Sequence, residues 1–352
     1  MQIIINAKFL CQKLTGIGRF AFEISFRLKK YYPKAIFVTP NKIILHQEAR
    51  VLDAVVFGNL GGAAWEQIEL PFFLLKFKKP LLLNFSNTAP IIVRNQINTI
   101  HDITTLKNPE WYSKKEYFYH KLLTRFVATR CLKLITVSQF VKDDLIYHLK
   151  ISENKISVIY NSVSDVFINE TLARRIIKEK YMLCVGSIHL RKNLQRTVQA
   201  FLDSNLKNYK LVIVGFKNAV FSEVNFQIPE GRTNDIIFTG YVSDEDLKSY
   251  YRCAKVFLYP SLEEGFGIPP LEAMANGCVV LTSHTSSLPE VCGDAAYYVD
   301  PFSIESIKKG ISELINNEQL RNKLRANGFK NIKRFNWDNS AHKVLQIINE
   351  LK

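Results

Sequence analysis

From end to end, short apolar runs of β-forming residues alternate with longer amphipathic stretches. The runs are IIIN (3–6), LLLNF (81–85), NTI (98–100) and LITVS (134–138), then YMLCVG (181–186), KLVIVG (210–215), DIIFTG (235–240), KVFLYP (255–260) and CVVLTS (278–283). A strand that is apolar throughout needs cover on both faces, and helices placed between successive strands of a parallel sheet give it. The alternation therefore predicts an α/β chain built on parallel sheets. Several runs end in Gly, Ser or His, at the carboxyl ends of strands, where open parallel sheets take their ligands.

At 352 residues and 47% hydrophobic content, the chain can bury two cores of ordinary size, at roughly 100–200 residues each. The charged, polar stretch 163–180, with mild helical character, reads as the junction. It separates a first domain over 1–163 from a second over 164–336. The last segment, WDNSAHKVLQIINELK (337–352), starts with helix-favouring Asp and Asn and aligns Ala341, Val344, Leu345 and Ile348. A closing helix packed back onto the first domain is expected.

Charge is split unevenly. Residues 1–163 hold 23 Lys+Arg against 11 Asp+Glu, a net of +12, and the remainder holds 24 against 21, a net of +3. A basic first half calls for an anionic partner, either acidic headgroups with a pyrophosphate-linked lipid or nucleic acid. The stretches 70–79 and 111–130 interleave aromatics with Lys and Arg. That pattern suits an anionic membrane surface and equally a core with solvated lysines. Six cysteines, Cys11, Cys131, Cys184, Cys253, Cys278 and Cys292, form no CxxC pair and have no His at zinc-ligand spacing. They read as small buried hydrophobes in a reducing compartment. The opening MQIIINAKFLC lacks the marks of a signal peptide, and no run reaches the about 18 apolar residues of a membrane span. The expectation is a cytoplasmic protein that does not cross a bilayer.

The stretch SLEEGFGIPPLEAMANGCVVLTS (261–283) carries the most chemistry. It places a glycine-rich turn between a strand and a helix. Gly265 and Gly267 let the backbone approach a ligand, and Pro269 and Pro270 suit a helix start, where the missing N–H has no partner anyway. Amides over Gly265, Phe266, Gly267 and Ile268 then point at an anion, since a helix start carries roughly half a positive charge. Two carboxylates frame the turn: Glu264 in the loop and, after seven intervening residues, Glu272 in the first turn of the helix. A carboxylate accepts from two neighbouring hydroxyls, as ribose or a hexose presents them. A lone acid near a helix start would be favourable electrostatics and nothing more. The Gly-Phe-Gly-Ile-Pro-Pro setting favours a diphosphate site with two hydroxyl-binding acids.

This pair resembles the E-x7-E motif of family 4 glycosyltransferases. The likeness runs over nearly the whole chain, and its opening, middle and C-terminal segments are most similar to the mannosyltransferase B-like group of bacterial polysaccharide enzymes. The resemblance implies the GT-B fold: two Rossmann-like domains facing each other across a cleft, the first binding acceptor and the second a nucleotide-sugar. It implies a retaining, metal-independent hexosyltransferase of O-antigen or capsule synthesis, with no cofactor beyond its substrate. Glu264 would contact the donor sugar and Glu272 hold the ribose. The acceptor would be a lipid-linked glycan or polysaccharide, met at the cytoplasmic face of the inner membrane. GDP-mannose is the donor the group suggests, with dTDP-rhamnose or a UDP-hexose as alternatives.

In YMLCVGSIHLRKNLQRTVQAF (181–201), a glycine turn at Gly186 precedes Arg191 and Lys192 at the start of an amphipathic helix. Two cations there can neutralise a pyrophosphate and the charge that grows on it as the glycosidic bond breaks. The family's phosphate-binding pair falls on these residues, although Ser187 stands where members often carry Arg. TGIGRF (15–20) matches the family's acceptor-domain glycine loop, with Gly16 and Gly18 allowing close backbone approach and Arg19 opening the next helix. His101, at the end of NTIHDITTL (98–106), matches a family histidine beside the donor hexose, and Asp102 is its neighbour. Ser138 is as apt to cap a helix as to touch ligand. VIYNSVS (158–164) resembles the P-N-G-V segment before the linker, with Tyr160 and Ser162 in place of its Pro and Gly. SSLPE (286–290) reads as a capping box from Ser287 to Glu290.

Two other classes fit less well. A nicotinamide-dependent oxidoreductase requires GxGxxG after the first strand, and TGIGRFAFE lacks the third glycine. A nucleic-acid binder requires a reading helix or a stacking sheet, and neither is evident.

Overall fold

Every apolar run named above forms a strand. The computed structural model describes residues 1–14, 16–169, 176–187, 189–215 and 228–351. They fall into two units, Met1–Asn161 with Asn336–Lys352, and Ser162–Phe335. Part of the polar junction 163–180, residues 170–175, lies outside the described residues.

The first unit holds seven strands: β1 Ile3–Asn6, β2 Ile36–Thr39, β3 Val55–Val56, β4 Leu81–Asn84, β5 Gln96–Ile100, β6 Lys133–Thr136 and β7 Ile156–Val158. They lie in the order β3-β2-β1-β4-β5-β6-β7, and every pairing is parallel. The second unit holds β8 Lys180–Val185, β9 Tyr209–Val214, β10 Ile236–Gly240, β11 Val256–Tyr259, β12 Val280–Ser283 and β13 Ala296–Val299. Its order is β10-β9-β8-β11-β12-β13, again parallel throughout. Both units are Rossmann-like. In each, the chain winds outward one way from a central strand and then the other way, so the order reverses between β1 and β4 and between β8 and β11. Such switch points leave a crevice beyond the strand ends.

The sheet centres bury apolar side chains, with a hydrogen-bonded group of Asn6, Asn84, Gln96 and Asn98 set among them in the first sheet. Ile4, Ile5, Leu82 and Leu83 are fully buried in the first sheet, as are Met182, Leu183, Leu211 and Leu281 in the second. Each such side chain contributes roughly 1.5–3 kcal/mol from burial. Helix Ile304–Asn316 packs close on the second sheet through Gly310, where a Cβ would stand 2.8 Å from Val299 Cγ1 and 2.9 Å from Leu281 Cδ1.

The last helix, Trp337–Asn349, is capped by Asn336, whose side chain accepts from the amides of Asp338 (2.7 Å) and Asn339 (3.0 Å). It lies against helix Gly16–Tyr31 of the first unit. Trp337 meets Phe20 edge-on at 6.1 Å, and Arg27 Nε bonds Asp338 Oδ1 at 2.7 Å. Its buried face is Trp337, Ala341, Val344, Ile347 and Ile348. Leu345, expected on that face, is only half-buried, and Ile347 takes its place.

All six cysteines are free. Burial pushes the thiols of Cys184, Cys278 and Cys292 up to about 12. Among the described residues no helix is long and apolar enough to cross a membrane.

Candidate functional site

Two turns leave the carboxyl ends of the adjacent strands β8 and β11, at the switch point of the second sheet. The first begins at Gly186, with φ +143°. The strand ends converge so tightly that a Cβ on Gly215, just past β9, would stand 1.9 Å from the Gly186 carbonyl oxygen. The chain then forms a short 3-10 turn, Leu190–Lys192, and helix Leu194–Asp203 follows. Arg191 and Lys192 thus sit in a separate turn and not at the start of that helix, as the sequence had suggested. The break is made by Asn193, held left-handed at φ +57°, a conformation that Asn tolerates better than most residues. Its buried side chain donates to Pro260 O (2.9 Å) and Pro301 O (2.6 Å), tying the first turn to the second.

The second turn runs from Pro260 to Gly267, which has φ +104° and caps helix Ile268–Ala275. Pro269 and Pro270 occupy the first helical positions and have no N–H to satisfy. Among the described residues the N–H groups of Gly267 and Ile268 meet no acceptor. Ser287 Oγ lies 2.9 Å from Glu264 O and 2.8 Å from Phe266 O, and Ser286 Oγ accepts from Glu264 N at 3.2 Å. The capping box expected at 287–290 is absent: Ser287 is itself in helical conformation and its side chain caps nothing. Its hydroxyl is engaged across space by the glycine-rich turn instead.

Glu264 is buried at the meeting point of both turns. Its Oε2 pairs with Arg191 Nη1 at 2.6 Å and its Oε1 with Lys192 Nζ at 2.6 Å. Tyr259 OH donates to Oε1 at 2.9 Å and lies 2.5 Å from Lys192 Nζ, which also stands 4.7 Å over the Tyr259 ring. Burial pushes the Glu264 carboxyl up, but the charges of Arg191 and Lys192 outweigh it and hold it at about 2. The same carboxylate adds to burial in driving the Tyr259 phenol well above its usual value. Both cations thus meet on the one carboxylate of Glu264. A cavity of about 20 Å³ lies beside it, against Gly186, Ser187, Lys192 and Tyr259.

Glu272 is the fifth residue of helix Ile268–Ala275, one turn further in than its expected place, because the helix already starts at Ile268. It is buried, and its Oε2 accepts from Tyr251 OH at 3.1 Å. Burial and then this neighbouring carboxylate drive the Tyr251 phenol well above its usual value.

In the first unit, Gly16 and Gly18 do not form a loop. They are the first and third residues of helix Gly16–Tyr31, so Arg19 lies within that helix and does not open it. Phe20 of the same helix meets the His101 ring edge-on at 5.1 Å. His101 Nε2 lies 2.9 Å from Phe85 O and its amide donates to Asn87 Oδ1 at 2.7 Å. A carbonyl partner makes Nε2 the protonated nitrogen. Burial lowers the pKa of this imidazole, so it is neutral. Asp102 pairs with neither ring nitrogen, and its Oδ1 accepts from Thr104 N at 3.1 Å. Ser138 caps helix Gln139–Leu149 by accepting from Val141 N at 3.1 Å.

The structure therefore brings Gly186, Arg191, Lys192, Glu264, Gly265, Phe266, Gly267, Ile268 and Glu272 to one switch point. In the other unit, Gly16 and Gly18 lie at the start of the helix whose Phe20 meets His101. Tyr259, Asn193 and Ser287 were missed by sequence reasoning. Asn193 alone carried a signal, as an Asn following Arg-Lys just before a helix.

The chain matches a family model described as "Glycosyl transferases group 1" over residues 173–331 and one described as "Glycosyltransferase Family 4" over residues 16–166. It is 27% identical to O-antigen chain mannosyltransferase B of Escherichia coli, across 98% of both chains. It is 33% identical to O-antigen chain mannosyltransferase RfbU of Salmonella typhimurium, over 77% of this chain and 74% of that one. Among solved structures, Anabaena HepE in complex with UDP and glucose superposes with a TM-score of 0.80 at 16% identity, covering 99% of this chain and 100% of that one.

Proposed function

The chain belongs to the family 4 glycosyltransferases, and from that premise we propose that it transfers a hexose from a nucleoside diphosphate-sugar to a glycan acceptor in O-antigen synthesis. The observation that carries this reading is the cluster of Arg191, Lys192 and Glu264 beside the amides of Gly267 and Ile268. Two cations next to a helix start suit a diphosphate. Mannose from GDP-mannose is the donor we favour, because relatives matching 98% and 77% of this chain are O-antigen mannosyltransferases. A uridine donor is the second reading, favoured by the UDP and glucose held by the HepE structure.

In this reading Arg191, Lys192 and the 265–268 turn hold the diphosphate, Glu272 the ribose and Glu264 the sugar. No protein carboxylate serves as a nucleophile in it, and the acceptor hydroxyl attacks from the face that the phosphate leaves. The bond from the anomeric carbon to the phosphate oxygen breaks as the new glycosidic bond forms. The departing oxygen takes the acceptor proton, and configuration is retained without a metal ion. The protein supplies position and charge stabilisation.

Glu272→Ala tests this site. The expected result is at least tenfold weaker binding of nucleoside diphosphate by calorimetry, since the loss of hydrogen bonds to a charged group is about 1.5–3 kcal/mol. Circular dichroism should remain that of the wild type. Unchanged affinity would remove Glu272 from the site.

The first unit is proposed to meet the anionic cytoplasmic face of a membrane, where a lipid-linked acceptor is presented. It exposes Phe72 (61%), Leu75 (78%), Ile92 (74%), Phe118 (63%) and Leu122 (59%). Gln67 bonds Ala89 O and Ile91 N at 2.9 Å each, and Ile91 packs beside Leu123 and Val127. These contacts bring together the segments that carry the five side chains. Lys78, Lys79, Lys121 and Arg125 lie exposed on the same segments. Phe72→Ser with Leu75→Ser should cut sedimentation with phosphatidylglycerol vesicles by about tenfold or more. Donor-binding affinity should be untouched, and full retention on vesicles would count against the surface.

A further inference from the structure

Lys192 Nζ contacts Glu264 Oε1 and Tyr259 OH, and Arg191 Nη1 contacts Glu264 Oε2, all at 2.5 or 2.6 Å. A diphosphate that uses both cations must compete with this carboxylate, because charge-assisted bonds of that length are directional and few. The geometry points to a second duty for Glu264: its carboxylate stands in for the diphosphate, holding Arg191 and Lys192 in place before donor binds and displacing the spent nucleoside diphosphate after transfer. The inference rests on the proposed diphosphate site and adds to it a device for product release.

Three features make the exchange workable. Glu264 is buried while Arg191 and Lys192 keep 24% and 14% of their side chains exposed, so the cations are reachable from solvent and the anion sits behind them. Tyr259 OH donates to the carboxylate, and the Tyr259 ring lies under the ammonium. The Lys192 head is thereby kept in place as its anionic partner changes. Finally, the carboxyl is held at about 2, so the competitor stays ionised and its strength does not vary with pH in the neutral range.

Exchange also couples the two jobs of this residue. While its oxygens are engaged by Arg191 and Lys192 they are poor acceptors for sugar hydroxyls, and a diphosphate that draws the cations away releases them. Sugar is gripped when the diphosphate is seated.

The test is calorimetric titration of wild type, Glu264→Gln, Glu264→Asp and Lys192→Met with GDP, UDP and dTDP. Glu264→Gln removes the competing charge and should tighten the nucleoside diphosphate that the wild type binds by on the order of tenfold. Stopped-flow dissociation should slow to match, and sugar transfer should fall. Glu264→Asp keeps the charge one methylene short of both cations and should tighten binding by less, which gives a second reading if the Gln variant folds poorly. Unchanged or weaker binding in the Glu264 variants, with Lys192→Met still weakening it, overturns the release device and leaves the diphosphate site standing. Undiminished binding in Lys192→Met, or no binding of any of the three by wild type, overturns both.

Discussion

Lys192→Ala should lower kcat by about 10²–10³-fold, the loss seen when one preorganised donor to a developing charge is removed. The ammonium is held by three separate contacts: Glu264 Oε1, Tyr259 OH and the face of the Tyr259 ring. Such fixing is what distinguishes a donor that needs no reorganisation during bond cleavage from a lysine that must first find its partner. If the leaving diphosphate gathers charge as the glycosidic bond opens, that cation acts in the transition state more than in the ground state, so kcat falls more than KM rises. The fold should survive, because Lys192 is partly exposed and its stem supports no core cluster. Steady-state transfer with a radiolabelled donor, together with a thermal melt, checks both halves. Turnover within threefold of wild type would show that charge on the leaving group is handled elsewhere.

Asn193→Ala should cost about 3–8 kcal/mol of stability. Two carbonyls, Pro260 O and Pro301 O, lose their donor in a site that is 3% exposed, and each buried unsatisfied group costs about 1–3 kcal/mol. Alanine at φ +57° adds roughly 1–2 kcal/mol. Asn193→Gly separates the contributions, since it relieves the backbone and leaves the carbonyls unpaired. It should recover roughly the backbone share in a denaturant titration. Equal stability of both variants would mean the left-handed backbone carries no strain.

How much of this was legible in the sequence differs between strands and site. Nine strands showed as apolar runs: eight are central, where parallel strands are buried on both faces, and the ninth, β10, is an edge that is apolar nonetheless. Three of the four that did not show, β3, β7 and β13, are sheet edges, and β3 is two exposed residues. The fourth, β2, is cut to four residues between Pro33 and Pro40. Glu264, Glu272, Arg191 and Lys192 were singled out because glycine turns and charge spacing are local patterns. Asn193 and Ser287 act on carbonyls 67 and more than 20 positions away, so an Asn before a helix shows in the sequence but the partners of these side chains do not. Ser287 with Glu290 does match a capping box, and there a tertiary contact overrode the local pattern. His101 was expected beside Asp102 because the two adjoin, but an imidazole at a strand end found the Phe85 carbonyl of the neighbouring segment first.

The first unit is written in two pieces, before Ser162 and after Phe335, and Phe20 is one place where the pieces touch: its ring meets both His101 and Trp337 edge-on. Recombination between related genes is constrained accordingly. A single crossover within the second unit would join an imported tail to a resident head and mismatch that aromatic stack. Only a paired exchange flanking residues 162–335 delivers a new second unit while leaving both pieces of the first unit from one parent.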